Sequence, residues 1–270
     1  MTQLDSFKKQ VEKNIEEIGC DLNFSKLTLE WLCKAIKHNY AQNFTWLGRP
    51  VIQIPQDVYA MQELIWAIRP SLIIETGIAH GGSLILSASM LALLDYCDAV
   101  ERGGELNPRK SSRRVVGIDI DIRPHNRQAI EAHPLNHLIT MIEGSSVDIN
   151  IVNKVKELAS DCGPIMVFLD SNHTHEHVLA ELECYAPMVT KGSYCVVWDT
   201  GVEDLPEGFV TDRPWGKGNN PKTAVIEFLK KISDESCVGI DGEHLEFITD
   251  KLIEHKVAIT AAPDGYLRRV

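Results

Sequence analysis

"SLIIETGIAHGGSL", residues 71–84, is an apolar run that stops at Gly77 and resumes as helical text. Leu72, Ile73 and Ile74 stand without polar alternation, the pattern of a strand covered on both faces. Gly77 permits a tight turn, and GGSLILSASMLALLDYC continues as a helix. The same unit recurs along the chain. RRVVGIDID precedes RPHNRQAIEAH, HLITMIEG precedes VDINIVNKVKELAS, PIMVFLD precedes HTHEHVLAELECYAPMV, and GSYCVVWDT is a fifth apolar run. Strands alternating with helices predict an α/β fold: a doubly wound, mostly parallel sheet with helices on both faces.

On the N-terminal side, residues 3 to about 44 read as two helices. Their apolar stripes are Leu4, Phe7, Val11 and Ile15, then Leu27, Leu29, Leu32, Ile36 and Tyr40. GRPVIQIPQD breaks that pattern, which divides the chain into a helical extension, residues 1–50, and a sheet-forming domain, residues 51–270. On the C-terminal side, PKTAVIEFLKKI starts a helix at Pro221 with Asn220 as its cap. KVAITAAPDGYLRRV reads as a strand and a DG turn. The polar insertion ERGGELNPRKSSRR, residues 101–114, reads as a solvated loop.

The chain has 270 residues and a net charge of -11, which disfavours nucleic acid and anionic membrane as main partners. Its seven cysteines are odd in number and form no CxxC pair, so they read as free thiols in a reducing compartment. The N-terminus carries no apolar signal core, and no run approaches the ~20 apolar residues of a membrane span. A soluble, cytoplasmic protein is expected.

In open α/β sheets, ligands sit beyond the carboxyl ends of the strands. The first end offers Glu75, Gly77, Gly81 and Ser83, with glycines that allow close backbone approach and a helix start with free N–H groups. The second offers Asp119, whose two carboxylate oxygens could accept both hydroxyls of a ribose. The third, IEGSSVD, places Ser145 and Ser146 where an adenine edge could bond. The glycine pattern is not G-x-G-x-x-G, and Asp119 lies beyond the ~20-residue offset of a dinucleotide fingerprint, so a dehydrogenase is disfavoured.

The fourth end, FLDSNHTHEHV, carries Asp170, His173, His175 and His177. It is not HExxH, which excludes a zinc-protease motif. Asp170 with two histidines could imitate the iron triad of a non-heme hydroxylase. His175 and His177 read more simply as bonded to the helix start or to solvent. His173 stands three residues past a strand-end acid, and an imidazole of unperturbed pKa about 6.5 suits a general base.

Together IIETGIAHGGS, VVGIDIDIRPHNR, FLDSNHTHEHV, WDT, DRPWGKGNNPKTAV and APDGYLRR resemble the cephalosporin hydroxylase family, over roughly residues 45–270. That resemblance implies a class I, Rossmann-like S-adenosylmethionine-dependent methyltransferase with a seven-stranded sheet and a reversed last hairpin. The adenosyl cofactor would lie against the first three strand ends. The layout is similar to catechol O-methyltransferase, which implies a Mg2+ ion at Asp170 and at the pair Trp198–Asp199, and a catalytic base at His173. Trp198 cannot ligate a metal, so Asp170 and Asp199 are the expected protein ligands, with water in the place lost at Trp198. The implied activity is O-methyl transfer to a small hydroxylated acceptor, a sugar or secondary metabolite. A non-heme iron hydroxylase or a non-catalytic adenosyl-binding scaffold are the alternatives. The N-terminal stripes need burial, and a homo-oligomer is expected.

Overall fold

The computed structural model describes residues 2–234 and 236–270. Helices α1 (Gln3–Cys20) and α2 (Leu22–Lys37) come first, each started by a side-chain cap, Thr2 and Asp21 respectively. The helical text was expected to run to about residue 44, but the helix stops earlier. Asn39 adopts a left-handed conformation (φ 50°), and the chain turns into a hairpin of β1 (Phe44–Trp46) and β2 (Arg49–Val51). Leu47 and Gly48 both have positive φ, which closes a two-residue hairpin turn.

The sheet-forming part alternates as the apolar runs imply. Its elements are α3 (Pro55–Ile68), β3 (Leu72–Thr76), α4 (Gly82–Arg102), β4 (Arg114–Asp119), α5 (Pro124–Glu131), β5 (Ile139–Glu143), α6 (Ile149–Ala159), β6 (Ile165–Leu169), α7 (His175–Tyr185) and β7 (Tyr194–Val197). Then come α8 (Pro221–Asp234), β8 (Phe247–Thr249), α9 (Lys251–Val257) and β9 (Tyr266–Arg269). Asn220 Oδ1 accepts from the N–H groups of Lys222 and Thr223, so it caps α8 as its position predicts. The expected strand over KVAIT is instead the end of α9 and a loop, and the extended segment is only β9. Ala258 at φ 61° ends that helix, and Asp264 at φ 66° makes the turn into β9.

The main sheet has seven strands in the order β5-β4-β3-β6-β7-β9-β8. β3 to β7 are parallel; β9 runs antiparallel to both β7 and β8. Every residue of β3, β6 and β7 is buried, which is why these strands lack polar alternation. One apolar layer, with Ile74, Val116, Val167, Leu182 and Phe228, covers one face. The other, with Ile73, Leu84, Leu91, Phe168 and Tyr266, covers the opposite face. Helix α4 is long and apolar enough to cross a membrane, contrary to the sequence reading. Leu84, Ile85, Leu91 and Leu94 are fully buried within the fold, so α4 is built as a core helix.

Candidate active site

The chain leaves β3 for β4 and β5 on one side, then crosses back to β6 on the other. The carboxyl ends of β3 and β6 therefore form the switch point of the sheet, where open α/β folds bind ligands. Gly77 makes the turn there at φ 87°, and a Cβ on it would lie 1.9 Å from the carbonyl oxygen of Asp170. Only glycine lets the two strand ends come this close.

A cavity of about 410 Å³ opens at this point. Asp170, His173 and Asp199 stand together in it, with one ligand atom from each lying within 4.8 Å of the others. Asp170 ends β6. Asp199 follows β7 in a left-handed conformation (φ 57°). His173 Nε2 lies 3.3 Å from Asp199 Oδ2, and Trp215 packs edge-on against its ring at 4.9 Å between centroids. Burial first, then the negative charges of Asp199 and Glu75, hold the Asp170 carboxyl well above the usual carboxylate range. Gln53 Nε2 donates to Asp170 Oδ2 at 3.1 Å. Two neighbouring carboxylates, an imidazole and excess negative potential are a donor set that fits a hard divalent cation. Trp198 does not take part: its side chain is buried against Tyr266.

On the nucleotide side, Gly77, Gly82 and Ser83 line the cavity, and α4 starts there with no side-chain cap, so its first N–H groups are free for an anion. Asp119 holds the turn itself. Its Oδ2 accepts from the N–H groups of Ile78 (2.8 Å) and Ala79 (3.2 Å), and its Oδ1 from Asp121 N. One acceptor site of this carboxylate, on Oδ1, is left for a hydroxyl. Gly77 and Ser83 thus share one cavity with Asp170, His173 and Asp199, whereas Asp119, Ser145 and Ser146 do not line it.

Several expected roles change in the fold. Gly81 does not face a ligand; Ile130 fills the space its missing side chain leaves. Gly82 meets the backbone of Pro50 in the same way. Glu75 is buried and accepts from Ser87 Oγ, with Ser83 as a second hydroxyl partner, so it ties β3 to α4 rather than lining the cavity. Burial pushes its carboxyl up to about 7. Ser146 is buried, and its hydroxyl lies 3.1 Å from His177 Nε2. His177 also pairs with Glu181, while His175 bridges to Thr223 and Glu227 on α8. Neither histidine serves the helix start or solvent; each fastens α7 to a neighbour. Since α7 begins at His175, His173 and His177 share no helical face, and the cluster at Asp170 contains one histidine. The two-histidine iron triad is therefore not formed among the described residues.

Sequence reasoning expected specificity from residues 198–220 and the N-terminal helices but singled out none of three contributors as site residues. Gln53 reaches the site from the segment after β2, and Trp215 from the loop before α8. Leu32, Ala35 and Ile36 bring α2 onto the cavity wall, and Asn39 just beyond it joins them. The lone polar residue in VIQIP is the available signal for Gln53; Trp215 stands within the DRPWGKGNNP motif.

The Rhamnosyl O-methyltransferase/CmcI family model matches residues 38–270. The chain belongs to this family. Among its relatives, the rhamnosyl O-methyltransferase of Mycobacterium leprae is 29% identical over 229 residues, covering 83% of this chain and 82% of that protein. The corresponding enzyme of Mycobacterium tuberculosis is 26% identical, with coverage of 83% and 78%. CmcI, solved with magnesium and S-adenosylmethionine, superposes with a TM-score of 0.52 at 18% identity, covering 85% of this chain and 77% of that one. That likeness bears out the Rossmann-like methyltransferase fold. Membership in the Rhamnosyl O-methyltransferase/CmcI family makes the chain a methyltransferase and leaves the hydroxylase and scaffold alternatives without support.

Proposed function

We propose that this protein is an S-adenosylmethionine-dependent, divalent-metal-assisted O-methyltransferase acting on a small hydroxylated acceptor, a sugar or secondary metabolite. The observation that carries the reading is the cluster of Asp170, His173 and Asp199 in one cavity with Gly77 and Ser83. The free N–H groups at the start of α4 suit the cofactor's carboxylate, and Asp119 suits its ribose. Ser145, after β5, stands on the adenine side, and Ser146 braces that segment through His177. The carboxylates of Asp170 and Asp199 would hold Mg2+.

When bound, the cofactor supplies an electrophilic methyl group and the cation lowers the pKa of an acceptor hydroxyl. The chain's own residues do the rest. The cavity walls would position the acceptor, since in-line transfer needs its oxygen about 3 Å from the methyl carbon. His173 Nε2 takes the hydroxyl proton, and Asp199 beside it steadies the resulting imidazolium. Trp215 limits the rotation of that ring. Helix α2 and the β2–α3 segment form part of the cavity wall.

The acceptor oxygen is tested by incubating the purified protein with labelled cofactor and pools of sugars, glycosides and phenols. Label appearing as a methyl ether is the expected result, and its loss on chelation with recovery on adding Mg2+ supports the metal. Activity that survives exhaustive chelation would remove the metal from the reading. The protein is also proposed to be a homo-oligomer. Leu4, Phe7 and Leu27 on α1 and α2 are 60–65% exposed in the single chain, and an acceptor site walled by α2 benefits from having that helix held. Light scattering that gives 30.2 kDa at working concentration would refute the oligomer.

A further inference from the structure

Gln53 is an almost fully buried polar side chain in the wall of the cavity. Its Nε2 has one partner, Asp170 Oδ2 at 3.1 Å, and among the described residues no donor reaches its Oε1. A primary amide can turn by half a revolution about its last bond and exchange its N–H and C=O ends with almost no change of shape. Against a bare carboxylate it presents the N–H. Against a cation held by that carboxylate it would present the oxygen.

The spacing suits the second arrangement. Oxygen ligands of Mg2+ stand 2.0–2.1 Å from the ion, so two on adjacent octahedral corners are about 3.0 Å apart. The amide end of Gln53 and the near oxygen of Asp170 are 3.1 Å apart, the length of such an edge. Trp198, buried against Tyr266, offers no ligand atom. We propose that Gln53 Oε1 is a further protein ligand of the divalent ion, beside Asp170 and Asp199, and that its amide turns over when the ion enters. This rests on the reading of Asp170 and Asp199 as metal ligands. It also makes the segment between the β1–β2 hairpin and α3 part of the metal site.

The test is ion binding by the full-length protein, read from the electron paramagnetic resonance of free Mn2+ and from the Cd2+ needed to displace bound Mn2+. Gln53→Met keeps the length and volume but replaces a hard oxygen by a soft thioether. The expected result is Mn2+ affinity weakened by about tenfold or more, with the Cd2+-to-Mn2+ preference raised by a similar factor. Unchanged Mn2+ binding, or equal weakening for both ions, overturns the proposal and leaves Gln53 as a hydrogen-bond donor to Asp170. Should Gln53→Met lose its folded circular dichroism, Gln53→Glu decides. That variant keeps an oxygen and loses the donor, so ligation predicts Mn2+ affinity kept or raised, and a fall overturns it. Failure of the underlying reading looks different: Asp170→Asn would then leave Mn2+ binding as it was.

Discussion

The two sides of the crevice are built on opposite principles. On the nucleotide side, polar groups are already partnered by the protein: Asp119 by two turn N–H groups, Glu75 by serines of α4, Ser146 by His177. On the acceptor side, Asp170 and Asp199 share a cavity, and among the described residues their side-chain partners are one amide, Gln53, and one imidazole, His173. Burial and like charge push the Asp170 carboxyl upward there. A partnered site holds its shape without a ligand and binds by adding hydrogen bonds. An uncompensated one is completed by a charge from outside. The difference implies that mutations of the charge-bearing groups on the acceptor side cost turnover, while those on the nucleotide side cost affinity or stability.

The largest expected effect is at His173. His173→Ala should lower kcat by about 10²-fold or more while cofactor affinity stays within error. Steady-state kinetics with calorimetry on the same preparation checks both. Partial rescue by excess Mg2+ would recast His173 as a metal ligand; full activity at saturating metal would remove it from the mechanism.

Glu75 sharpens the comparison through stability. Its ordinary value is 4.5 and burial raises it to about 7 in the fold. The native state therefore binds more protons than the unfolded chain between those values. Stability from this group is full below pH 4.5 and is lost as pH rises through about 7. Glu75→Gln keeps an acceptor for Ser87 and cannot ionise. Relative to it, the wild type should lose up to about 3 kcal/mol between pH 4.5 and pH 8, read from denaturant midpoints. Parallel profiles for the two proteins would show that folding leaves the Glu75 carboxyl at its ordinary value.

Asp119→Ala tests the other half of the contrast. It should weaken cofactor binding by more than about tenfold, the size of one lost charge-assisted hydrogen bond, with kcat at saturating cofactor little changed. Unchanged affinity in calorimetry would leave Asp119 only the turn to hold.

Much of this was readable from the chain because strands buried on both faces announce themselves. LII, VVGI and IMVFL are the apolar runs of β3, β4 and β6, and Asp119 and Asp170 stand directly after the last two. The doubly wound sheet and the positions of Asp119 and Asp170 followed from that, whereas Asp199 entered through the family resemblance alone. What was not readable depends on contacts across the chain. No local spelling says that Gln53 meets Asp170, or that Gly81 is bare to admit Ile130. In NHTHEH the reading set His173 apart from His175 and His177, yet no local spelling gave the partners, which are Asp199, Thr223 with Glu227, and Ser146. The early stop of α2 was hidden too, since Tyr40 continues an apolar stripe that the left-handed Asn39 interrupts.

The smallest expected effect lies where the apolar wall meets the acceptor. Ile36 on α2 lines the cavity and remains 42% exposed in the single chain, so it is replaceable without opening the core. Ile36→Ser removes a few methyl and methylene contacts with a bound acceptor and touches neither the metal residues nor the turn at Gly77. Contacts of this kind act alike on ground state and transition state, which moves KM and spares kcat. Partial loss of an exposed aliphatic contact is worth about 1 kcal/mol, or roughly fivefold in KM. The same substitution should change cofactor affinity less than KM, because the polar groups proposed for the cofactor, at the start of α4 and on Asp119, are not on α2. A fall in kcat with unaltered KM would mean that α2 orders the catalytic residues instead of holding the acceptor, and the division between a polar, charge-bearing floor and a passive apolar wall would have to be redrawn.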